Sequence, residues 1–304
     1  MNLRYPKLSI GLALLSLTLP TCISAAPLRV LYFSKSAGFE HSVVKRVDGK
    51  PSYSENVLAG LGPKHEIEFT FSKDGSLFTP EYLVRFDVVM FYTSGDLLNV
   101  GTDGQPAMTA AGKLALLDFV AGGKGFVALH SASDTFHTNE HGGGNNPIRA
   151  PRFVNYGDAA DDYIKLLGGE FIRHGPQQVA RARVIDPAFP GCAELGETVE
   201  CMEEWYTLKE FAASLHVLLV LETAGMKGAD YQRAPFPLAW ARAYEKGRVW
   251  FNAMGHREDV WTNPKFQAML IGGIEWAGGR KTAEVTPNLT AVAPEANKLQ
   301  VYVP

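Results

Sequence analysis

Gly125-Phe126-Val127-Ala128-Leu129-His130 is an unbroken apolar run that ends on an imidazole, and Phe86-Asp87-Val88-Val89-Met90-Phe91-Tyr92 is a second run of the same kind. A strand with one solvated face alternates apolar and polar residues. These runs do not alternate, so both faces are covered, as in a parallel sheet with helices on each side. Upstream, residues 28–34 read as another buried strand, and residues 65–72 alternate with Ile67, Phe69 and Phe71 on one face. Helical patterns fall between them at 52–61, 79–84 and 107–121. The last has Ala111, Leu114, Leu117 and Phe119 as apolar positions and Gly122-Gly123 as its stop. Strands alternating with helices make right-handed βαβ units and an open, mostly parallel sheet.

Residues 137–160, with Gly142-Gly143-Gly144-Asn145-Asn146-Pro147, show little periodicity and read as a long loop over the sheet's carboxyl edge. Loops of that length in compact domains are functional lids or disordered segments. Beyond it, 161–167 reads as a short helix and 179–186, 216–222, 238–244 and 247–252 as strands. Glu245-Lys246-Gly247 is the turn of a hairpin between the last two. Residues 263–276 form a closing helix with Pro264 in its first turn, and the tail from Thr286 has three prolines and no pattern.

The N-terminus argues for export. Arg4 and Lys7 precede a dozen apolar residues, 8–19, and Ser24-Ala25-Ala26 offers small residues for cleavage before Pro27. The run is too short to span a bilayer, and no later segment is long enough, so no membrane span is expected. Cys22 as a lipid anchor fits poorly, because Pro20 and Thr21 precede it. The expected division is a signal peptide at 1–26, one α/β domain at 27–282 and a tail at 283–304. A net charge of −3 carries no basic excess and argues against nucleic acid. The mature chain keeps Cys192 and Cys201. In an oxidising compartment their short spacing would suit a disulfide, the alternative being two free buried thiols.

Of the eight histidines, three stand where strands end: His41 after the first, His130 after the fourth and His256 after Asn252-Ala253-Met254-Gly255. Ligands of open α/β sheets bind outside the carboxyl ends of strands, so the three are expected within roughly 10 Å of one another. Imidazoles there would bind a divalent metal such as zinc or share acid/base duty. Asp134 would orient a histidine or cap the turn with Thr135. Ser131 sits like an elbow nucleophile but lacks the G-x-S-x-G glycines. In Glu203-Glu204-Trp205-Tyr206, neighbours on a strand face opposite ways, so only one carboxylate, Glu204, faces the site. Arg257 and Trp261, just past His256, are further candidates for substrate contact. No Walker loop or GxGxxG occurs, so no nucleotide cofactor is expected.

Gly38-Phe39-Glu40-His41, Gly125-Phe126-Val127-Ala128-Leu129-His130-Ser131-Ala132, Gly168-Gly169-Glu170-Phe171 and Gly247-Arg248-Val249-Trp250-Phe251-Asn252-Ala253-Met254-Gly255-His256 occur in that order. Together they resemble the ThuA-like (trehalose-utilisation) family over about 28–280. The resemblance implies a flavodoxin-like three-layer sandwich of the class I glutamine amidotransferase-like kind. Amidotransferases carry a cysteine where this chain has His130, so thiolate chemistry on glutamine is excluded. The resemblance further implies a carbohydrate partner, trehalose-type glycosides or their 3-keto derivatives. It implicates His41, Gly95, Asp96, His130, Asp134, Glu204, Tyr206 and His256. Family members often carry His-Pro where this chain has His174-Gly175-Pro176. The functional expectation is an exported enzyme cleaving such a glycoside, with a non-catalytic sugar-binding protein as the alternative.

Overall fold

The computed structural model describes residues 1–3, 26–138 and 150–300. The apolar 8–19 run, read from the sequence as a signal peptide, and the glycine-rich 142–147 stretch lie outside the described residues. In chain order the strands are β1 Leu28–Phe33, β2 Ile67–Ser72, β3 Val88–Phe91, β4 Gly125–Leu129, β5 Glu170–His174, β6 Gln178–Val184, β7 Thr198–Glu203, β8 Tyr206–Lys209, β9 His216–Glu222, β10 Phe236–Tyr244 and β11 Gly247–Asn252. The helices are α1 Tyr53–Leu61, α2 Pro80–Leu83, α3 Ala110–Ala121, α4 Asp162–Leu167, α5 Glu258–Trp261, α6 Pro264–Ala277 and α7 Leu289–Val292.

The main sheet has the order β2-β1-β3-β4-β11-β10-β9-β6-β7. From β2 to β11 every pairing is parallel, and from β11 to β7 every pairing is antiparallel. Helices α1, α5 and α6 pack on one face of the parallel half, and α2, α3 and α4 on the other. This is the expected α/β, flavodoxin-like sandwich, extended by an antiparallel wing. The continuous apolar runs are explained by position: all of β3 and β4 is buried, because helices cover both faces. Each buried Val, Leu, Met or Phe of these strands contributes about 1.5–3 kcal/mol on leaving water.

Several details differ from the sequence reading. Helix α3 begins at Ala110, not 107, because the Thr109 hydroxyl caps it by accepting from Gly112 N at 2.9 Å. Its core face is Ala115, Leu116, Leu117 and Val120, and Leu114 is exposed. Cys192 and Cys201 are both free thiols, which corrects the disulfide. Cys201 lies on β7 opposite Ala180, while Cys192 is packed into apolar surroundings in the loop before it. Burial pushes both thiols up to about 12.

The patternless segment after Thr286 is docked by side-chain amides that imitate backbone. Asn288 accepts from Val217 N at 2.7 Å and donates to Val217 O at 3.2 Å. Asn297 does the same to Phe211, at 2.9 and 2.8 Å.

Candidate functional site

His130 turns the chain out of β4 with φ +42°, a left-handed value that costs a non-glycine residue on the order of 1–3 kcal/mol. It is wholly buried. Its Nδ1 lies 2.7 Å from the carbonyl of Ala253, just past the neighbouring β11, so Nδ1 donates to that oxygen. Nε2 is buried with no hydrogen-bond partner. His41, buried in the loop after β1, pairs its Nε2 with the Tyr206 hydroxyl at 3.2 Å and leaves Nδ1 buried and unpartnered. His256 follows β11. Its Nε2 lies 3.0 Å from the Gln177 amide, and its Nδ1 stands 2.9 Å from Glu204 Oε2 but out of line for a hydrogen bond.

The three rings meet edge to face. Centroids are 4.9 Å apart for His41 and His130, 5.1 Å for His41 and His256 and 5.3 Å for His130 and His256. One ligand-capable atom from each of His41, His130, Glu204 and His256 lies within 4.8 Å of all the others. Burial holds the His41 imidazole well below its ordinary pKa, reinforced by His130 and His256, so its neutral form is favoured. Burial alone would raise the Glu204 carboxyl. His130 and His256 outweigh it and hold Glu204 below the usual carboxylate range.

Strand alternation is visible in the two glutamates. Glu204 faces the histidines. Glu203, ending β7, faces away and is fully buried, accepting from Glu204 N at 2.7 Å, Gly255 N at 2.8 Å and His256 N at 3.3 Å. Tyr206 lies on the His130 ring at 3.9 Å between centroids and on Phe171 at 4.1 Å, and burial raises its phenol pKa well above ordinary, so it remains an O–H.

Other candidates take different places. Asp134 contacts none of the three: its carboxylate pairs with His137 Nε2 at 2.5 Å and with Arg152 at 3.5 Å. Trp261 is fully buried and donates to Gly255 O at 2.8 Å, so it supports the His256 turn and has no surface to offer a substrate. Asp96 folds its carboxylate onto Leu98 N at 3.0 Å. Gly95, at φ +76°, joins two loops by donating to Asp134 O and accepting from Phe136 N, and a Cβ there would stand 2.6 Å from Gly38 N. Arg257 is half-exposed, bonded to Asp259 and to Gln177 Oε1. It lines an open groove of about 590 Å³ with Ser42, Tyr53, Gln177, His256 and Asp259. The Ser131 hydroxyl is buried with no hydrogen-bond partner, so no histidine base activates it.

Sequence reasoning passes over His137, and the glycine between His174 and Pro176 predicts a displaced loop that puts His174 in doubt as a site residue. His137 is buried between Asp134 and Glu170, 2.8 Å from the latter, with Lys209 3.6 Å beyond. The three-residue step from Asp134 and the glutamate in Gly168-Gly169-Glu170-Phe171 were its only signals. His174 stands at the mouth, 3.4 Å from Glu204 Oε1 and stacked 5.7 Å from Tyr206. The inserted Gly175 does not carry it away from the site.

A flavodoxin-like sandwich whose central strand ends in a histidine elbow, with two more histidines and a carboxylate around it, defines an α/β protein of amidotransferase-like layout without the nucleophilic cysteine. The ThuA family profile, described as trehalose utilisation, matches residues 29–277, and the chain belongs to this family. Similar solved structures include a ThuA-like protein from Bacteroides uniformis (17% identity, TM-score 0.61, covering 90% of this chain and 100% of that one). Another is a ThuA-like protein from Parabacteroides merdae (18%, TM-score 0.55, covering 86% and 93%). A cytoplasmic protein from Salmonella typhimurium LT2 is similar at 16% identity and TM-score 0.50, covering 83% and 97%. At these identities they speak to the fold. No curated protein matches the chain.

Proposed function

We propose that this protein is an exported carbohydrate-processing enzyme whose His41, His130, His256 and Glu204 hold a divalent metal and whose substrate is a trehalose-type glycoside or its 3-keto derivative. One observation carries the metal. His130 and His41 each have one nitrogen engaged by a fixed outer partner, Ala253 O or Tyr206 Oη, and the other nitrogen buried without a hydrogen-bond partner, and the His256 nitrogen that faces Glu204 is likewise unpartnered. Metal-binding histidines are built in this way, with the outer contact setting the ring's orientation. A neutral His41 favours the same reading, because ligation needs the lone pair.

A cation held there would supply Lewis acidity toward a carbonyl or hydroxyl oxygen of the sugar. The chain's residues do the rest. His174 donates Nδ1–H to Gly175 O at 3.0 Å, which leaves Nε2 as its basic nitrogen at the half-exposed mouth. There it would take the proton from the carbon beside a keto group, the C–H electron pair would form a double bond to the anomeric carbon, and the glycosidic oxygen would leave with the C–O pair and take that proton back from the His174 imidazolium. Tyr206 keeps its proton and steadies His41. The groove around Arg257, rich in polar groups, suits a polyhydroxylated ligand.

Elemental analysis of purified protein, followed by product detection on trehalose and 3-keto-trehalose with and without a chelator, tests this reading. Near-stoichiometric metal and chelator-sensitive product are expected. Ligand-induced thermal shift without product would leave a sugar-binding protein, and a chain that takes up neither metal nor sugar would end the proposal. Residues 1–26 are proposed to be removed on export. Exported material should begin at Pro27 on N-terminal sequencing, and an intact Met1 would contradict export.

A further inference from the structure

We infer that Glu203 is a positioning residue that clamps the two backbone segments carrying His256 and Glu204 and so sets the geometry of the proposed metal centre, the reading on which this inference rests. Its carboxylate is fully buried yet touches none of the four ligand candidates' side chains. Instead Oε1 accepts from the backbone of Glu204, and Oε2 accepts from Gly255 and His256. Glu203 ends β7, the outermost strand of the antiparallel wing, while Gly255 and His256 follow β11 in the middle of the sheet. Those elements are four strands apart in sheet order, and the carboxylate joins them directly. Without it, three backbone N–H groups would be left buried, each costing about 1–3 kcal/mol if unpaired.

The turn is held from its other side too. Tyr92 and Trp261 both donate to Gly255 O, at 3.1 and 2.8 Å. Glu203 takes the N–H face of a peptide whose carbonyl face is already fixed. The unpartnered ring nitrogen of His256 is thereby aimed at Glu204 by backbone on both sides. Glutamine cannot replace glutamate here, because its amide N–H would oppose a backbone N–H.

The test compares wild-type protein, Glu203→Gln and Glu200→Gln. Glu200 lies on the same strand with its side chain exposed, more than half accessible in its pair with Arg181. The first readout is amide hydrogen exchange of Gly255 and His256 in metal-free protein. The second is affinity for Co²⁺ and its visible spectrum, which reports ligand geometry. In Glu203→Gln, exchange at the two amides should quicken at least tenfold with β11 unchanged, Co²⁺ binding should weaken about 10–100-fold, and the band should shift. Glu200→Gln should match wild type. A folded Glu203→Gln with wild-type exchange overturns the clamp. Quickened exchange with wild-type Co²⁺ affinity and spectrum overturns its bearing on the centre. A wild-type protein that binds no Co²⁺ sinks the metal reading instead, and the exchange readout still decides whether Glu203 clamps the turn. Should Glu203→Gln fail to fold, Glu203→Asp gives the same readouts, its shorter carboxylate reaching fewer of the three amides.

Discussion

His130 combines a left-handed backbone with a ring fixed by Ala253 O and a buried, unpartnered Nε2. Asparagine tolerates that backbone better than most residues, so His130→Asn separates the fold from the chemistry. The variant should stay folded by circular dichroism while losing bound metal and turnover. Full metal content in it would remove His130 from the centre. Tyr206→Phe keeps the ring stack and deletes one hydrogen bond to His41. It should weaken metal binding by about 10–100-fold, measured against a competing chelator. Wild-type affinity would mean that the Tyr206 contact does not orient His41. Strand-end position marked His41, His130 and His256 in the sequence. Gln177 was invisible there, and Glu203 was legible only as the glutamate that faces away from the site, because a lone amide beside a ring and a carboxylate that binds backbone N–H groups leave no spacing.

Among the elements, the β5–β8 pair was the least legible. Glu170, Arg173 and Lys209 put charges into strands that are largely buried, and a pattern reading takes charge for exposure. The charges are buried because they are paired: Glu170 meets His137 and Lys209. Edge strand β7 alternates the wrong residues, with its apolar side only half-covered. By contrast β1, β3, β4 and β11 were readable because helices cover them. The His137 contacts hold the turn after β4 against β5, and with it the β5–β8 pair bearing Tyr206. Removing one partner, as in Glu170→Ala, should cost about 3–5 kcal/mol in denaturant unfolding, since it strands a buried charge. Burial alone would lower the His137 pKa, but Asp134 and Glu170 outweigh it and raise it above 6.5. The protonated form is therefore favoured by folding. Its contribution is complete below the unfolded value near 6.5 and is lost as pH rises through the raised folded value. Thermal midpoints should fall on that alkaline side in wild type, and the same slope in His137→Gln would assign the effect elsewhere. Gly95→Ala should cost more than about 1 kcal/mol, because the left-handed backbone and the nearby Gly38 amide both reject a methyl group.

At the scale of the whole molecule, stability comes from the covered sheet and not from a cross-link. Reductant should leave the thermal midpoint unchanged, and the unfolded protein lacking residues 1–26 should titrate two thiols. Native alkylation should be slow, because burial keeps Cys192 and Cys201 protonated at neutral pH. Among the described residues no helix is long and apolar enough to cross a membrane. The four residues at the centre of the site stand at positions 41, 130, 204 and 256. They are contributed by loops from both the parallel half and the antiparallel wing, so only a fragment that spans residues 41–256 holds the whole set. A nascent or half-folded chain therefore has no high-affinity place for a cation. On the proposed metal reading, a chain that crosses a membrane unfolded would have its ion chosen where folding finishes, by what that compartment supplies, and not by the cytosolic metal pool.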